Sequence, residues 1–321
     1  MSIQRVCRSI KKFDNFLITA HVNPEGDALG AAIGFYHLVK QLGKQASIVI
    51  DDLLPYGYDF LPQLRLIRRF GHALGRVKFD CLAVLDCADL ARAGRVHKLK
   101  KSQPVLNIDH HISNQNFGDV NWVDPQASSC SEMIYALYKK LRVPFNHNAA
   151  LALYTGIMTD TGSFRYTNTS SLTFLAAAEL VKFGVDVAGV YRYAYENIPR
   201  QAIRLLLQAQ SGVKFFKGGK VAVFTLGSAS VDKNSGFDLA DQVLNFGRQI
   251  KGVEVVALFK PLARARSQVR VNLRSQGKVD VNQVARHFSG GGHKTAAGCT
   301  LKGSLASIQG KVIAEISRKF K

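Results

Sequence analysis

The sequence contains no long hydrophobic run. None of its segments approaches the roughly 20 consecutive apolar residues that a membrane-spanning helix requires. Lys11, Lys12 and Asp14 precede the short apolar run at residues 16–20, so the N-terminal segment lacks the apolar core of a signal peptide. We therefore expect neither membrane insertion nor secretion, and the sequence predicts a cytoplasmic protein.

Cysteine is also scarce. The five cysteines are odd in number and widely spaced, and no two of them form a C-x-x-C pair. This pattern excludes a disulfide framework and a zinc clip built on paired cysteines. It is typical of reduced thiols in a cytosolic protein.

Acidic residues are few relative to basic ones, since 23 Asp and Glu stand against 43 Lys and Arg and give a net charge of +20. The excess is uneven. Residues 1–199 carry 22 basic and 17 acidic side chains, whereas residues 200–321 carry 21 and 6. A basic half attracts polyanions such as nucleic acids and nucleotides. The alternative is a basic surface that serves only solubility.

Short apolar runs alternate with helical patterns in the first half of the chain, which is typical of an α/β fold with a parallel sheet and flanking helices. The runs lie at residues 16–20, 46–50, 81–85 and 105–108. Towards the C-terminus the pattern changes to a glycine-turn hairpin, an alternating strand and an amphipathic helix. The sequence therefore predicts an N-terminal domain at residues 1–190, a helical linker at 191–212 and a smaller α/β domain at 213–321.

Acidic and imidazole side chains follow directly after three of these apolar runs, and one more ends a helical stretch. They are His21, Glu25, Asp27, Asp86, Asp109, His110, His111 and Asp160. Because the carboxyl ends of parallel strands lie along one edge of a sheet, where ligands bind, we expect these groups to meet there. Taken singly, each Asp is explained as a turn residue or a helix cap, and Asp27 is placed to cap its own helix.

Converging carboxylates in a semi-buried cleft repel one another unless a cation neutralises them. A divalent cation removes that cost, and two cations account for the number of groups present. Mixed imidazole and carboxylate ligands suit Mn²⁺, Fe²⁺ or Zn²⁺, and metal pairs recur in phosphoester hydrolysis. The residues therefore predict a hydrolase centre with two divalent ions.

The same residues resemble the motifs of a known family. The patterns His21-x-x-x-Glu25-x-Asp27, Asp86, Asp109-His110-His111 and Asp160 resemble the four motifs of the DHH phosphoesterase superfamily. The segment SGGGHKTAAG at residues 289–298 resembles the signature of the DHH-associated C-terminal domain. Stretches at residues 121–125, 155–166 and 281–282 are similar to a subgroup of oligoribonucleases that also act as pAp phosphatases.

The resemblance implies a Mn²⁺-dependent centre in a cleft between a catalytic N-terminal domain and a substrate-binding C-terminal domain. One metal would take His21, Glu25 and Asp86, the other Asp27, His110 and Asp160, with Asp86 bridging the two. Asp109 would orient His110, and His111 would face the scissile phosphate. The family usually has Asp where this chain has Glu25, so the first metal would meet a carboxylate one methylene longer.

In the C-terminal domain we expect substrate contacts from Arg274, Ser275, Gly291, Gly292 and His293. Arg274 and Ser275 end the alternating strand and would offer a guanidinium fork and a hydroxyl to a terminal phosphate. The glycines would let backbone N–H groups approach a phosphate or a base, although a flexible turn explains them equally well. A domain that grips one end of the substrate while metals cut near the other favours short oligonucleotides.

The sequence therefore predicts a metal-dependent phosphoesterase that degrades very short single-stranded RNA to mononucleotides and converts pAp to AMP. The resemblance also suggests a homodimer. A second hypothesis is a cyclic dinucleotide phosphodiesterase acting on c-di-AMP or pApA, although such relatives often carry sensory or membrane segments. A third hypothesis, of another class, is a nucleic-acid-binding protein without catalytic activity. A RecJ-like exonuclease on long strands is disfavoured because the chain has no room for additional nucleic-acid-binding domains.

Overall fold

The structure is a computed structural model that describes residues 3–71, 77–227, 237–262 and 267–320. The chain divides into two compact units, Met1–Asn197 and Ile198–Lys321. Each unit has its own six-stranded sheet and its own hydrophobic core. Within the described ranges, every helix is too short or too polar to cross a membrane.

The first unit is built on a parallel sheet. Its strands are β1 (Asn15–Thr19), β2 (Gln45–Ile50), β3 (Ile67–Arg69), β4 (Cys81–Leu85), β5 (Val105–Asp109) and β6 (Val120–Val123). They lie in the order β3-β2-β1-β4-β5-β6, and every neighbouring pair is parallel. The order of the strands reverses between β1 and β4. In open parallel sheets, ligands bind at this reversal, beyond the carboxyl ends of the strands.

Helices and a shorter segment cover the two faces of this sheet. The helices are α1 (Ile3–Lys12), α2 (Gly26–Gln41), α3 (Cys130–Leu141), α4 (His147–Asp160), α5 (Ser171–Val181) and α6 (Val187–Tyr195). The larger core packs α2, α3 and α4 against one face. On the other face, Leu17, Val49 and Leu82 pack against the 3₁₀ segment Leu90–Leu99. Burial on both faces explains why the strands are continuous apolar runs.

Glycines let α2 and α4 pack closely in an antiparallel arrangement. A Cβ atom at Gly30 would meet the carbonyl oxygen of Ala152, and one at Gly34 would meet the side chain of Leu153. A Cβ at Gly26, in the first turn of α2, would meet Thr159 in the last turn of α4. The start of α2 therefore lies beside the end of α4, which brings Asp27 and Asp160 to the same place.

The second unit contains a mixed sheet. Its strands are β7 (Lys214–Phe216), β8 (Val221–Thr225), β9 (Val255–Pro261), β10 (Gln268–Ser275), β11 (Gly291–Gly292) and β12 (Ala296–Lys302). Its helices are α7 (Ile203–Ser211), α8 (Leu239–Gln249), α9 (Val281–His287) and α10 (Leu305–Arg318). The order is β11-β12-β10-β9-β8-β7, with β8 and β9 parallel and the other pairs antiparallel. One face packs against α9 and α10, the other against α7 and α8.

The expected α/β fold with a parallel N-terminal sheet is confirmed. The run at residues 81–85 is β4, and the predicted hairpin is formed by β7 and β8. The short strands β3 and β6 were missing from the sequence-based assignment. Within the segment predicted as a linker, α7 packs Leu206 and Ala209 into a core of the second unit. The predicted domain limits and the cleft between the domains stay predictions.

Candidate metal centre

The loop that follows β1 is held in place by backbone hydrogen bonds. The N–H of Val22 donates to the carbonyl oxygen of Arg92 at 2.7 Å, and the N–H of Asn23 donates to the Asp52 carboxylate at 2.8 Å. Asn23 has a left-handed φ of 54°, a conformation that Asn adopts more readily than most residues. These contacts fix the position of His21 at the end of β1.

Asp86 follows β4 directly and carries two unusual features. Its φ is 52°, in the left-handed region, where a non-glycine residue is strained. Its side chain is buried, and within the described part of the chain its Oδ1 has no hydrogen-bond partner. A left-handed backbone and a buried oxygen without a hydrogen bond are typical of a functional site, because both are costly in free energy.

Three carboxylates surround the Nε2 atom of His110. This nitrogen lies 3.5 Å from Asp86 Oδ1, 3.6 Å from Asp160 Oδ2 and 3.9 Å from Asp27 Oδ2. On the other side of Asp86, His21 Nε2 lies 3.4 Å from Oδ2. The reversal between β1 and β4 thus brings together side chains from three strand ends and from the end of α4.

These distances and ligand types fit divalent metal ions. Two groups have ligand atoms within 4.8 Å of one another: Asp86 with His110 and His111, and Asp27 with His110 and Asp160. Atoms bound about 2.1 Å from one ion lie about 3.0–3.4 Å apart at octahedral or tetrahedral angles, slightly less than the spacings here. Asp86 Oδ1, which has no hydrogen bond among the described residues, lies 3.5 Å from His110 Nε2 and 3.6 Å from His111 Nδ1. The cluster therefore has the composition and the size of a metal centre.

The carboxylates of the cluster differ in their acidity. Burial, aided by the negative charge of Asp86, raises the pKa of Asp27 to about 6. Burial and the charges of Asp27 and Asp86 raise the pKa of Asp160 to about 7, although His110 opposes them. Burial alone would raise the pKa of Asp86, but contacts with His110 and His21 hold it well below its usual range. Protonation thus relieves the crowding of charge, as a bound cation would.

His21 is oriented as a metal ligand usually is. Its Nδ1 lies 2.8 Å from the carbonyl oxygen of Val22, and because a carbonyl only accepts, Nδ1 carries the proton. Nε2 is then the atom that faces Asp86. Glu25 is exposed at the N-cap of α2 and belongs to neither of the two ligand groups among the described residues. Its charge is close enough to raise the pKa of Asp160.

The expected role of Asp109 was wrong in one respect. Asp109 is fully buried, and its Oδ1 accepts from the backbone N–H of His110 at 2.9 Å rather than from that ring. The ring that Asp109 holds is that of His111, whose Nδ1 lies 2.6 Å from the same oxygen. The reason is that β5 ends at Asp109, so the chain turns and brings the second histidine back over the carboxylate.

Two asparagines that the sequence analysis did not single out support Asp109. Asn114 Nδ2 lies 2.5 Å from Asp109 Oδ2 and 2.9 Å from Asn107 Oδ1. Asn107 is fully buried, and its own Nδ2 donates to the carbonyl oxygens of Val84 and Cys87. Asn107 interrupts the apolar run at 105–108, and a polar residue inside a buried strand is the signal that points to such a network.

Asp27 has a structural role as well as a place in the cluster. Its two oxygens accept from the backbone N–H groups of Cys130 and Ser131 at 2.7 and 2.8 Å. Asp27 therefore caps α3, whereas the capping role considered for it in the sequence was at its own helix. A carboxylate at a helix N-terminus is stabilised by the helix dipole. The start of α3 thereby fixes one carboxylate of the candidate centre.

The residues expected to bind substrate in the second unit have different environments. Ser275 is buried, with 1% of its surface exposed; its hydroxyl accepts from the N–H of Gly277 and lies 3.4 Å from Glu254 Oε1. The expected contact of its hydroxyl with phosphate is therefore wrong. Arg274 keeps 26% of its side chain exposed and pairs with Asp241 at 3.2 Å. Gly291, Gly292 and His293 are exposed at the edge strand β11 and the turn after it.

Two family domains match the sequence. The DHH family, N-terminal domain, matches residues 15–157, and the DHHA1 domain matches residues 218–320. In addition, a protein of Thermus thermophilus, named bifunctional oligoribonuclease and PAP phosphatase NrnA, is 35% identical over 288 residues, which are 89% of this chain and 84% of that protein. The chain belongs to the DHH family. This family consists of metal-dependent phosphoesterases, so the expected enzyme class is confirmed.

Two further similarities bear on fold and function. An exopolyphosphatase-related protein from Bacteroides fragilis superimposes with a TM-score of 0.89 at 24% identity, covering 98% of this DHH chain and 95% of that one, which shows the fold alone. A protein of Geobacillus thermodenitrificans, named cyclic-di-AMP phosphodiesterase GdpP, is 29% identical over 311 residues. Those residues are 91% of this chain but 45% of that protein.

Proposed function

We propose that this phosphoesterase hydrolyses very short single-stranded RNA to mononucleotides and pAp to AMP. The observation that carries the proposal is the cluster around His110, which lies at the strand reversal in a chain 35% identical to a protein named for these two activities. The basic second unit supports the same substrates, because oligonucleotides and pAp are polyanions.

One divalent ion would be held by Asp27, His110 and Asp160. Another would be held by His21 and Asp86, with Glu25 beside them. When bound, the two ions, Mn²⁺ in our proposal, would supply an activated water and would neutralise charge on the phosphate. Asp86 lies between both histidines, at 3.5 Å from one and 3.4 Å from the other, and is placed to serve both positions.

His111 would act on the phosphate through Nε2. Because a carboxylate only accepts, the contact with Asp109 fixes the proton of His111 on Nδ1. Nε2 is then the atom that can contact the phosphate and assist the leaving oxygen. Asp109 is fully buried and would act only through His111, as a positioning residue.

In the second unit, Arg274 and the backbone N–H groups of Gly291 and Gly292 would bind a terminal phosphate, with His293 beside them. Phosphate would compete with Asp241 for the guanidinium of Arg274. We further propose that the enzyme is cytoplasmic, as its scattered cysteines suggest, and homodimeric, as the resemblance of the sequence suggests.

A substrate panel tests the proposal. Purified protein with Mn²⁺ is expected to convert dinucleotides to mononucleotides and pAp to AMP, with turnover falling as the RNA is lengthened. The Asp86→Asn variant should lose hydrolysis while still binding substrate, and Asp14→Asn, at a carboxylate whose side chain is 82% exposed, is the matched control. A metal-loaded protein that is inactive on both substrates would contradict the substrate assignment.

A second candidate substrate is a cyclic dinucleotide. The likeness to the phosphodiesterase of Geobacillus thermodenitrificans favours it, although the chain spans less than half of that protein. Parallel assays with c-di-AMP and with linear pApA separate the two candidates. Faster turnover of the linear dinucleotide supports the proposal above, and faster turnover of the cyclic one replaces it.

A further inference from the structure

Tyrosines are concentrated beside the metal centre. Half of the ten tyrosines of the chain lie in two short segments, namely the loop between β2 and β3 and helix α6. They are Tyr56, Tyr58, Tyr191, Tyr193 and Tyr195. The contacts described above for the cluster around His110 do not involve these rings, so their position needs a separate explanation.

Both segments pack directly against the parts of the chain that carry carboxylates. A Cβ atom at Gly26, which lies between Glu25 and Asp27, would be 2.8 Å from the hydroxyl oxygen of Tyr58. The hydroxyl of Tyr195 donates to the carbonyl oxygen of Thr159, the residue before Asp160, at 3.4 Å. Tyr58 and Tyr195 therefore belong to a wall of side chains beside the segments that carry Asp27 and Asp160.

Three rings of this wall are stacked in a column, which we call the aromatic column. Tyr58 stacks on Phe60 with centroids 6.3 Å apart, and Phe60 stacks on Tyr193 with centroids 5.0 Å apart and planes inclined by 15°. Gly57 makes the close approach of the loop to α6 possible, since its φ is +90° and a Cβ there would be 2.8 Å from the carbonyl oxygen of Tyr193.

The column ends in a ring that is open to solvent. Tyr193 is 51% exposed, and among the described residues Phe60 is the one ring in contact with it. Leu53 and Tyr56, which lie close to Tyr58 in the sequence, are each 38% exposed. A flat aromatic face that is open to solvent suits stacking by another flat ring.

We propose that the aromatic column is a stacking site for a nucleobase of the substrate whose phosphate lies at the metal centre. The inference rests on the proposed function, because it assigns a base to the substrate. Every base has an aromatic face, so the site accepts all four bases and contributes affinity without sequence preference. It gives the first unit a means of holding nucleosides that is independent of phosphate contacts.

Kinetics of Tyr193 variants on matched substrates test the inference. The substrates are a diribonucleotide and the same molecule with an abasic ribose in place of one nucleoside. Tyr193→Ala is expected to raise KM for the diribonucleotide about 5- to 150-fold, since stacking on one ring is worth about 1–3 kcal/mol. Tyr193→Phe, which keeps the ring, is expected to retain the wild-type KM. The preference for the base-containing substrate should largely disappear in the alanine variant.

The control is Tyr191→Ala on the same helix, where an exposed tyrosine contacts Tyr195 outside the column. Thermal unfolding checks that each variant is folded. A less than twofold change of KM in Tyr193→Ala, or an equal rise of KM for both substrates, would overturn the inference and leave the ring a packing role. If the wild-type enzyme hydrolyses neither substrate, the proposed function fails instead, so the two failures are distinguishable.

Discussion

Replacing Asn114 with alanine removes the group that holds Asp109 in place. The Nδ2 atom of Asn114 lies 2.5 Å from Asp109 Oδ2, 2.9 Å from Asn107 Oδ1 and 3.2 Å from the carbonyl oxygen of Cys87. Asp109 and Asn107 are fully buried, so water does not readily replace the lost donor. The change therefore leaves a buried carboxylate oxygen and a buried amide oxygen without this partner.

The expected loss of stability follows from these two acceptors. An unsatisfied buried acceptor costs about 1–3 kcal/mol, and more when it is charged. Asn107 keeps the hydrogen bonds of its own Nδ2, so its share is the smaller one. We expect Asn114→Ala to lower the free energy of unfolding by about 2–4 kcal/mol. Because Asp109 also orients His111, we expect turnover to fall about 10- to 100-fold.

Urea unfolding and Mn²⁺-supported hydrolysis of a dinucleotide measure the two effects. Ser113→Ala is the matched control, since Ser113 is the exposed neighbour in the same loop. A fall in kcat with little change in KM is expected, because His111 acts on the phosphate in the reaction and not in capture of the substrate. Unchanged kcat in a variant that is destabilised as predicted would refute the positioning of His111 through Asp109.

Three further substitutions test other parts of the structure. Gly156→Ala places a Cβ against Ser131 and 2.9 Å from Asp27 Oδ1. Thermal unfolding should therefore show that the free energy of unfolding falls by about 1–3 kcal/mol. The control is Gly310→Ala, in open space on α10, which should raise the unfolding temperature. Glu25→Asp should stabilise the chelator-treated protein by about 0.5–1 kcal/mol, because the Glu25 side chain makes no capping hydrogen bond to α2; unchanged stability contradicts this. Arg274→Ala should raise KM and reduce its salt dependence, and unchanged kinetics would exclude a phosphate contact there.

The positions of the cluster residues were accessible from the sequence because they depend on a short-range pattern. Apolar runs that are buried on both faces are visible as continuous stretches, and the first polar residues after them must lie at the carboxyl edge of a parallel sheet. Asp86 and His110 follow their strands in this way. The reversal of strand order that sets them side by side is a property of the whole sheet, and the missed strands β3 and β6 belong to it.

The hydrogen bonds among these residues could not be predicted from the same pattern. Which histidine Asp109 contacts depends on the turn after β5, and Asn114 reaches Asp109 across five residues of loop. Neither contact produces a periodic pattern in the sequence. Asp27 is a similar case, since it caps a helix more than a hundred residues later in the chain. Such long-range side-chain contacts follow from the packing of α2 against α3 and α4.

The alternation of buried and exposed residues along β10 already predicts that the Ser275 side chain is buried. Val269, Val271 and Leu273 are buried on one face of β10, and Ser275 continues that series, so alternation already places it on the buried face. There its hydroxyl lies near Glu254, whose carboxylate also accepts from the N–H of Lys278 at 2.7 Å and holds the turn after the strand. Arg274 belongs to the opposite series. A phosphate that approaches this strand therefore meets the guanidinium of Arg274 without the neighbouring hydroxyl, and Ser275→Ala should alter the stability of the second unit more than the KM for pAp.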